Sequence, residues 1–349
     1  MSARIALIAP FASPSIRGNA VTIARIERGL AARGIVVRVW DRSARGDEAI
    51  EAEVEAFVPS LVHAFHAWNV GPLALRLARR MELPLVVTLT GTDANHDLFD
   101  PERAAVVRRV LEGAARVVVF DDSIGVRVAS VLPDVRPRIV RVPQAADLTA
   151  EASFDLAAAW PALPASRVLF ALPAGIRPVK QPRLPLEPFD ALAARHPQIR
   201  LLYVGPILDA EEGERLTAAL SARPWARYIG AVPHAQMASL LRQTDVVMNC
   251  SLSEGGMANS VLEALACGRA VLAADIEGNR SVIQHDVSGL LFRDAGELCV
   301  MAERLTIDVA LRTRLGAAGR AFVSERFPPA REIEGYLAVY SELTPVVTP

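Results

Sequence analysis

Short runs of β-branched residues alternate with helical patterns along the whole sequence, and this alternation constrains the fold more than any other feature. Parallel strands need a crossover between them, so strand–helix alternation favours parallel sheets that are covered by helices on both faces. The predicted fold class is α/β, with two Rossmann-like, doubly wound parallel-sheet domains facing a cleft. The runs predict strands near Ile5–Ala9, Ile35–Trp40, Leu61–Ala64, Leu85–Thr90, Val117–Phe120, Ile139–Val142, Val168–Leu172, Ile199–Val204, Tyr228–Ile229, Asp245–Asn249, Ala270–Ala273 and Gly289–Phe292.

The domain division follows from where this pattern lapses. The segment from Asp147 to Ser166 is rich in alanine and interrupted by proline, so we expect the chain to leave its first domain there. The predicted parts are residues 1–155, residues 156–327 and a C-terminal helix over residues 328–349. Helices are predicted over Asn19–Arg33 and Pro101–Gly113, the second with proline in its first turn.

Charge and cysteine usage disfavour several classes of function. A formal net charge of −1 argues against a nucleic-acid surface, which needs clustered positive charge. Cys250, Cys267 and Cys299 have apolar neighbours and no metal-ligand spacing, which favours buried thiols and a cytoplasmic location. No apolar run approaches the roughly 20 residues that span a bilayer, while peripheral membrane contact stays open.

The stretch SLSEGGMANSVLEALACG carries two carboxylates around a glycine-rich loop. A predicted strand ends near Cys250, the loop carries Glu254, and a helix that begins near Ser260 carries Glu263. Because a helix N-terminus presents unpaired N–H groups, an anionic ligand such as a diphosphate is expected just ahead of Ser260. The alternative is a capping box, in which Glu263 only closes the helix start at Ser260.

This stretch resembles the paired-glutamate motif of the family-4 glycosyltransferases. The resemblance implies that Glu254 faces the donor sugar and Glu263 the nucleotide ribose, with Gly255, Gly256, Asn259 and Ser260 lining the same site. The family usually has seven residues between the two glutamates, whereas this chain has eight. The additional glycine either bulges outward or moves Glu254 away from the sugar.

The sequence contains one lysine, Lys180, among 37 arginines, and it lies in GIRPVKQP after the first strand of the second half. An ammonium is a compact charge that suits a phosphate oxygen, and Arg177 can add a planar bidentate contact. The pair resembles the diphosphate clamp of the same family. The alternative is two solvated charges in a proline-containing loop.

Further candidates follow other predicted strands. The segment RGNAVT places Gly18 and Asn19 after the first strand, as a wall beside the transferred group or as a turn and cap. The segment TGTDANHD offers Thr92 and Asp93 as acceptor contacts, with an Asx-turn as the alternative. It has Thr90 where many family members have a histidine. His66, near Trp68 in the sequence, is either an acceptor candidate or a packed core histidine. Asn279 is either a donor contact or a helix cap. The sequence leaves the alternatives open for both residues.

The combination of GIRPVKQP, GTDANHD, SEGGMANS and IEGNRSVIQHDVSGLLF resembles the glycosyltransferase 1 domain-containing proteins, and RGNAVT and TGTD also resemble segments of selenosugar synthases. The resemblance implies the GT-B fold, in which the helix over residues 328–349 crosses back to the first domain. It also implies a retaining hexosyltransferase that is independent of metal and takes a UDP-sugar co-substrate and no other cofactor. Arg177, Lys180 and Glu254 are its expected catalytic residues, and the acceptor is an unidentified small molecule or glycan. A selenosugar synthase, a nucleotide-sugar epimerase and a non-catalytic nucleotide-sugar-binding protein remain alternatives.

Overall fold

The computed structural model describes residues 4–13, 18–146, 148 and 152–344. The chain forms two compact units, one of Met1–Ala145 with Phe327–Pro349 and one of Ala146–Arg326. The second unit includes residues 146–155, which the sequence analysis assigned to the first domain. Its described part is tied to the second unit by hydrogen bonds, from Phe154 N to Ser239 Oγ (3.0 Å) and from Gln243 Nε2 to the Phe154 carbonyl (2.9 Å).

Within the described residues, the first unit contains a six-stranded parallel sheet. Its strands are β1 (Arg4–Ala9), β2 (Val36–Asp41), β3 (Leu61–Phe65), β4 (Leu85–Thr88), β5 (Arg116–Val119) and β6 (Ile139–Arg141). Its helices up to β6 are α1 (Gly18–Ala32), α2 (Asp47–Phe57), α3 (Gly71–Arg80), α4 (Ala104–Gly113) and α5 (Asp122–Val131), with a π-helical turn over Asp93–Asp97 and a 3₁₀ helix over Pro133–Arg138. The order across the sheet is β2-β1-β3-β4-β5-β6.

The second unit repeats this architecture, again with six parallel strands among the residues that the structure describes. The strands are β7 (Val168–Pro173), β8 (Ile199–Val204), β9 (Ala226–Tyr228), β10 (Val246–Asn249), β11 (Ala270–Ala274) and β12 (Leu290–Phe292). The helices are α6 (Leu156–Ala159), α7 (Leu186–Arg195), α8 (Ala210–Leu220), α9 (His234–Arg242), α10 (Asn259–Ala266), α11 (Glu277–Arg280), α12 (Ala295–Ile307) and α13 (Val309–Arg326), with a 3₁₀ turn over Pro178–Lys180. The order is β12-β11-β10-β7-β8-β9.

The central strands are buried along their whole length, as the apolar runs predicted. Every residue of β3, β7, β10 and β11 is buried. Strands covered on both faces read as continuous apolar runs, which is why the sequence located them within one or two residues. The doubly wound α/β fold of both halves is therefore confirmed. The predicted start of one helix was wrong, because Pro101 lies in a turn and α4 begins at Ala104.

Each sheet has one place where the strand order reverses. In the first unit β1 lies between β2 and β3, and in the second unit β7 lies between β8 and β10. The loops that leave the carboxyl ends of two such neighbouring strands turn to opposite faces of the sheet and leave a crevice between them, where open α/β sheets bind ligands. The topology therefore draws attention to the loops after β1, β3, β7 and β10.

The last helix, α14 (Pro329–Leu343), packs in the first unit. Its buried face shares an apolar cluster with β1 and α1, formed by Ile5, Leu7, Ile23, Ile26, Ile333, Tyr336, Leu337 and Tyr340 among others. Gly29 of α1 permits the close approach, since a Cβ there would lie 2.3 Å from the end of the Ile333 side chain. The chain thus returns to the unit in which it begins.

Buried polar contacts fix the position of α14 on this face. Arg25 of α1 and Glu332 of α14 form a two-point ion pair with N–O distances of 2.6 and 2.9 Å, and both side chains are almost inaccessible to solvent. His63 of β3 lies between Tyr340 Oη and Thr88 Oγ1, each at 2.7 Å. Burial lowers the pKa of His63 from 6.5 to about 3, so the imidazole is neutral near neutral pH. Such a network of buried hydrogen bonds is satisfied in only one position of α14 on the sheet.

Across the residues that the structure describes, no helix has the length and apolar character needed to cross a bilayer.

We expect Glu332→Ala to lower the free energy of unfolding of the first unit by about 3–5 kcal/mol, because it leaves the Arg25 guanidinium buried without its carboxylate. Glu334→Ala is the matched control, since Glu334 of α14 pairs in solvent with Arg33, which directly follows α1 (3.3 Å). Its loss is expected to stay below about 1 kcal/mol. Urea unfolding of the two variants measures the difference, and equal losses would contradict a special role for the buried pair.

Candidate active site

The loops after β7 and β10 meet where the strand order reverses. β7 and β10 are paired in parallel, so their carboxyl ends lie at the same edge of the sheet. The Leu252 N–H in the second loop donates to the Val179 carbonyl in the first at 2.9 Å. The topology thereby brings together two predicted site segments, GIRPVKQP and SLSEGG, that lie more than 60 residues apart in sequence.

Glu254 lies at the centre of this region and is bound directly by Lys180. Its Oε1 accepts hydrogen bonds from Lys180 Nζ, from Ser251 Oγ (2.6 Å) and from Asn249 Nδ2 (3.1 Å). Burial would raise the pKa of the Glu254 carboxyl, but the ammonium and these hydrogen bonds hold it below its usual value. Glu254 is therefore an ionised carboxylate that does not act as a proton donor near neutral pH.

Arg177 adds a second cation beside Lys180 in the chain. The backbone N–H of Lys180 donates to the Arg177 carbonyl at 3.0 Å, which closes the short 3₁₀ turn between them. Within the described part of the chain, no carboxylate pairs with Arg177, and its Nε is buried without a hydrogen-bond partner. An unpaired guanidinium of this kind is suited to a bound anion.

Glu263 does not form the capping box that the sequence left open. Helix α10 begins at Asn259, its N-cap is Ala258, and no side chain caps it. Ser260 lies inside the first turn, so that interpretation was wrong. Glu263 Oε1 instead accepts a hydrogen bond from Nε2 of His234, the first residue of α9, at 2.9 Å.

The loop that carries the additional glycine packs on α11. Gly256 is buried, and its φ of 121° is a conformation that residues with a Cβ rarely adopt. A Cβ on Gly278 of α11 would lie 2.0 Å from the Gly256 carbonyl oxygen and 3.0 Å from the Glu254 Cβ. Gly255-Gly256 therefore lies tightly on α11, in a loop that holds Glu254 against Lys180.

Asn279 is fully buried and is the third residue of α11, so neither a helix cap nor a surface contact describes it. Its Nδ2 donates to the Ala274 carbonyl (2.9 Å) and to Asn249 Oδ1 (3.3 Å). Asn249 in turn donates to Glu254, so Asn279 acts on the site through Asn249. The predicted direct contact between Asn279 and the donor is not accessible in this arrangement.

Three polar residues of this region were missed by sequence reasoning: His234, Asn249 and Ser251. Asn249 had a readable signal, because it is an amide that ends the otherwise apolar strand VVMN at its carboxyl end. His234 had none, since its partner Glu263 is 29 residues away and belongs to another helix.

In the first unit, Asn19 and Thr90 are brought together. Asn19 Nδ2, in the first turn of α1, donates to Thr90 Oγ1 after β4 at 3.2 Å. Gly18 is exposed next to it. These residues follow β1 and β4, at the same sheet edge as His66, which follows β3.

Asp93 has a structural role, although not the predicted Asx-turn, which would need the N–H two residues further on; that N–H, of Asn95, donates to the Gly91 carbonyl (2.8 Å). It is fully buried, its Oδ1 accepts the backbone N–H groups of Thr90, Gly91 and Ala94, and its Oδ2 accepts that of Ala67, all at 2.9–3.1 Å. An acceptor substrate would have to displace these bonds. Thr92 is exposed beside it at the start of the π-helical turn.

His66 is partly exposed and holds the turn that leads into α3. Its φ of 102° is unusual for a residue with a side chain, and its Nδ1 accepts the Asn69 N–H at 3.2 Å. Its Nε2 lies 3.9 Å from the buried Oδ2 of Asp97. Trp68 packs against the core of this unit with the Arg103 guanidinium over its ring.

Among the described residues, no three His, Cys, Asp or Glu side chains are arranged to hold a metal ion. Asp121 caps α5 through the Ser123 N–H (2.9 Å), and Asp122 pairs with Arg141.

Burial raises the pKa of the Cys250 thiol to about 12, so this thiol is not a nucleophile near neutral pH.

Solved structures share this fold over almost the whole chain. Sucrose-phosphate synthase from Thermosynechococcus elongatus aligns with a TM-score of 0.81 at 20% identity, covering 98% of this chain and 99% of that one. Anabaena HepE in complex with UDP and glucose aligns with a TM-score of 0.76 at 17% identity, covering 98% and 100%. The fold is therefore GT-B, as the sequence resemblance predicted.

Sequence comparisons agree. The family model for glycosyl transferases group 1 matches residues 166–308. Glycosyltransferase 1 domain-containing protein 1 of Xenopus tropicalis is 27% identical over 314 residues, which are 88% of this chain and 89% of the relative. D-inositol 3-phosphate glycosyltransferase of Segniliparus rotundus is 30% identical over 308 residues, 82% of this chain and 67% of the relative. The chain belongs to the group 1 glycosyltransferases.

Proposed function

We propose that this glycosyltransferase takes a UDP-sugar in its second unit and transfers the sugar, with retention of configuration and without a metal ion, to an acceptor bound largely by its first unit. The observation that carries the proposal is the pairing of Lys180 with Glu254 beside the carboxyl ends of β7 and β10, where the strand order of the sheet reverses. It puts a cation suited to a diphosphate next to a carboxylate suited to a sugar hydroxyl.

The diphosphate would be bound by Lys180, Arg177 and the backbone N–H groups at the start of α10. The guanidinium has no carboxylate partner in the described chain, and the N-terminus of α10 has no side-chain cap. Two cations and a helix N-terminus stabilise the charge that grows on the leaving nucleotide as the glycosidic bond breaks. Charge stabilisation by side chains is the basis for proposing metal independence.

The two glutamates would bind the two sugars of the donor. Glu254 is ionised and already accepts hydrogen bonds, so it can accept further ones from hydroxyls of the transferred sugar. Glu263 would accept from the ribose. Gly255 and Gly256, with Asn259 and Ser260, would form the wall between these carboxylates, and Asn279 would support it from behind.

The choice of uridine rests on structural neighbours. HepE has been crystallised with UDP and with UDP-glucose, and Staphylococcus aureus TarM with UDP. Retention of configuration rests on the family resemblance. In the first unit Gly18 and Asn19 stay candidates for a wall beside the transferred group, and Thr92 and His66 stay acceptor candidates. Asp93, the third acceptor candidate, would act through the backbone that it holds. The cytoplasmic location stays a prediction.

A donor screen tests the proposal directly. UDP-, GDP-, ADP- and dTDP-sugars would first be compared by the rise in melting temperature, because a ligand that binds the native state stabilises it. The best donor would then be incubated with a panel of glycans, polyols and selenophosphate, and the anomeric configuration of the product determined by NMR. Binding of UDP-sugars with a product of retained configuration is expected. Interconversion of the donor sugar without transfer, or transfer to selenophosphate alone, would overturn it.

We expect Lys180→Arg to lower kcat/KM for the donor by about tenfold to a hundredfold, because a planar fork cannot take the place of a point ammonium and leaving-group stabilisation is sensitive to about 1 Å of displacement. The loss in affinity should be larger for a nucleoside diphosphate than for a monophosphate. Arg183→Lys is the matched control, since Arg183 is nearby in the chain but pairs with Glu212 (2.8 and 3.2 Å). Unchanged turnover by Lys180→Arg would show that the lone lysine does not contact the diphosphate.

Transfer should continue after exhaustive treatment with a strong chelator, because Arg177 and Lys180 supply the positive charge at the diphosphate. The measurement is the initial rate before and after chelation and after magnesium or manganese is restored. A rate that vanishes in chelator and returns with either ion would refute metal independence.

Gly278→Ala is expected to cost about 1–3 kcal/mol of stability and to reduce donor turnover, because the new Cβ collides with the Gly256 carbonyl and displaces the loop of Glu254. Gly296→Ala is the control. The nearest atom to a Cβ there is Asp294 Oδ1, a side-chain atom, at 3.2 Å. Thermal unfolding and donor kinetics distinguish the two, and a Gly278→Ala enzyme with unchanged kinetics would show that the loop tolerates displacement.

A further inference from the structure

His234 contacts the carboxylate that the proposed function assigns to the ribose. It is the first residue of α9, and its Nε2 lies 2.9 Å from Glu263 Oε1 on α10. Since a carboxylate oxygen can only accept, the imidazole donates from Nε2. The contact joins the helices before and after β10 in the chain, and it holds the direction of the Glu263 side chain.

The two oxygens of Glu263 have different surroundings. Oε1 is held by His234, whereas Oε2 accepts no hydrogen bond from the described residues and is not among their buried, unpartnered atoms. The Glu263 side chain is one-tenth exposed and the His234 side chain about one-third exposed. One oxygen is therefore fixed by the protein, and the other faces accessible space beside the imidazole.

We propose that His234 is a positioning residue that makes the donor site specific for ribonucleotides over deoxyribonucleotides. By fixing Oε1, it directs Oε2 toward a vicinal diol, which is the chemical feature that a ribose has and a deoxyribose lacks. The inference rests on the proposed function, because it takes Glu263 as the ribose-binding carboxylate. Buried polar groups arranged for a hydroxyl reject an analogue without it, since they are then left unpaired.

A purely structural His–Glu pair would behave differently. Its removal would lower stability and would weaken all nucleotides by the same factor. A positioning role requires that removal of His234 weakens the binding only of nucleotides that carry the vicinal diol. The second unit contains a matched example of the structural kind, in which His196 Nε2 lies 2.8 Å from Glu303 Oε1, outside the loops of the site.

The test is the ratio of dissociation constants for 2′-deoxy-UDP and UDP, measured by calorimetry on the full chain. The unchanged protein is expected to prefer UDP by roughly tenfold to a hundredfold, the range of one hydrogen bond to a charged group. His234→Ala should reduce the preference to within about threefold, and His234→Gln, whose amide can donate from a similar position, should restore most of it. His196→Ala should leave the ratio unchanged. Combining His234→Ala with Glu263→Gln should reduce the preference no further than Glu263→Gln alone.

Two failures are distinguishable. If Glu263→Gln loses the preference while His234→Ala keeps it in full, the ribose site is correctly placed and the role of His234 is refuted. If the unchanged protein shows no preference, or Glu263→Gln keeps it, the ribose is not at Glu263, and the placement of the donor fails together with this inference. Lack of UDP binding to the unchanged protein would overturn both.

Discussion

Parallel pairing of β7 with β10 is the constraint on which the candidate active site depends. Because β8 and β9 lie on one side of β7 and β10 to β12 on the other, the loops after β7 and β10 separate at a common edge. One loop presents Arg177 and Lys180, and the other presents Glu254 and leads into α10. Lys180 and Glu254 form an ion pair there. Asn249 and Ser251 donate further hydrogen bonds to the Glu254 carboxylate.

The first unit depends on a different kind of interaction. Its sheet is completed by a helix from the other end of the chain, held by the buried Arg25–Glu332 pair and by His63 between Tyr340 and Thr88. Apolar burial supplies most of the stability of such a contact, and the polar pairs specify its register. The edge of this sheet that carries Asn19, Thr90 and His66 is built by the same elements, so α14 supports that edge indirectly.

Sequence patterns were sufficient for the fold, and insufficient for the contacts that the candidate residues make. Buried parallel strands are continuous apolar runs, so the strands of both described sheets were located. The roles of Asp93 and Asn279 depended in part on distant residues: Asp93 accepts the N–H of Ala67 as well as three neighbouring N–H groups, and Asn279 is buried behind Asn249. The contact of His234 with Glu263 was invisible for the same reason, because it joins different helices. The capping box was a prediction from local sequence alone. It was wrong because α10 begins at Asn259, one residue before the serine that was expected to cap it.

The central claim is that the diphosphate binds beside the carboxyl ends of β7 and β10, where the strand order of the sheet reverses. A crystal structure of the protein with UDP bound tests this claim most directly. The account expects the diphosphate oxygens within hydrogen-bonding distance of Lys180, Arg177 and the first N–H groups of α10, with the ribose hydroxyls at Glu263. A diphosphate bound at another edge of the sheet, or coordinated by a metal ion in place of Lys180 and Arg177, would contradict it.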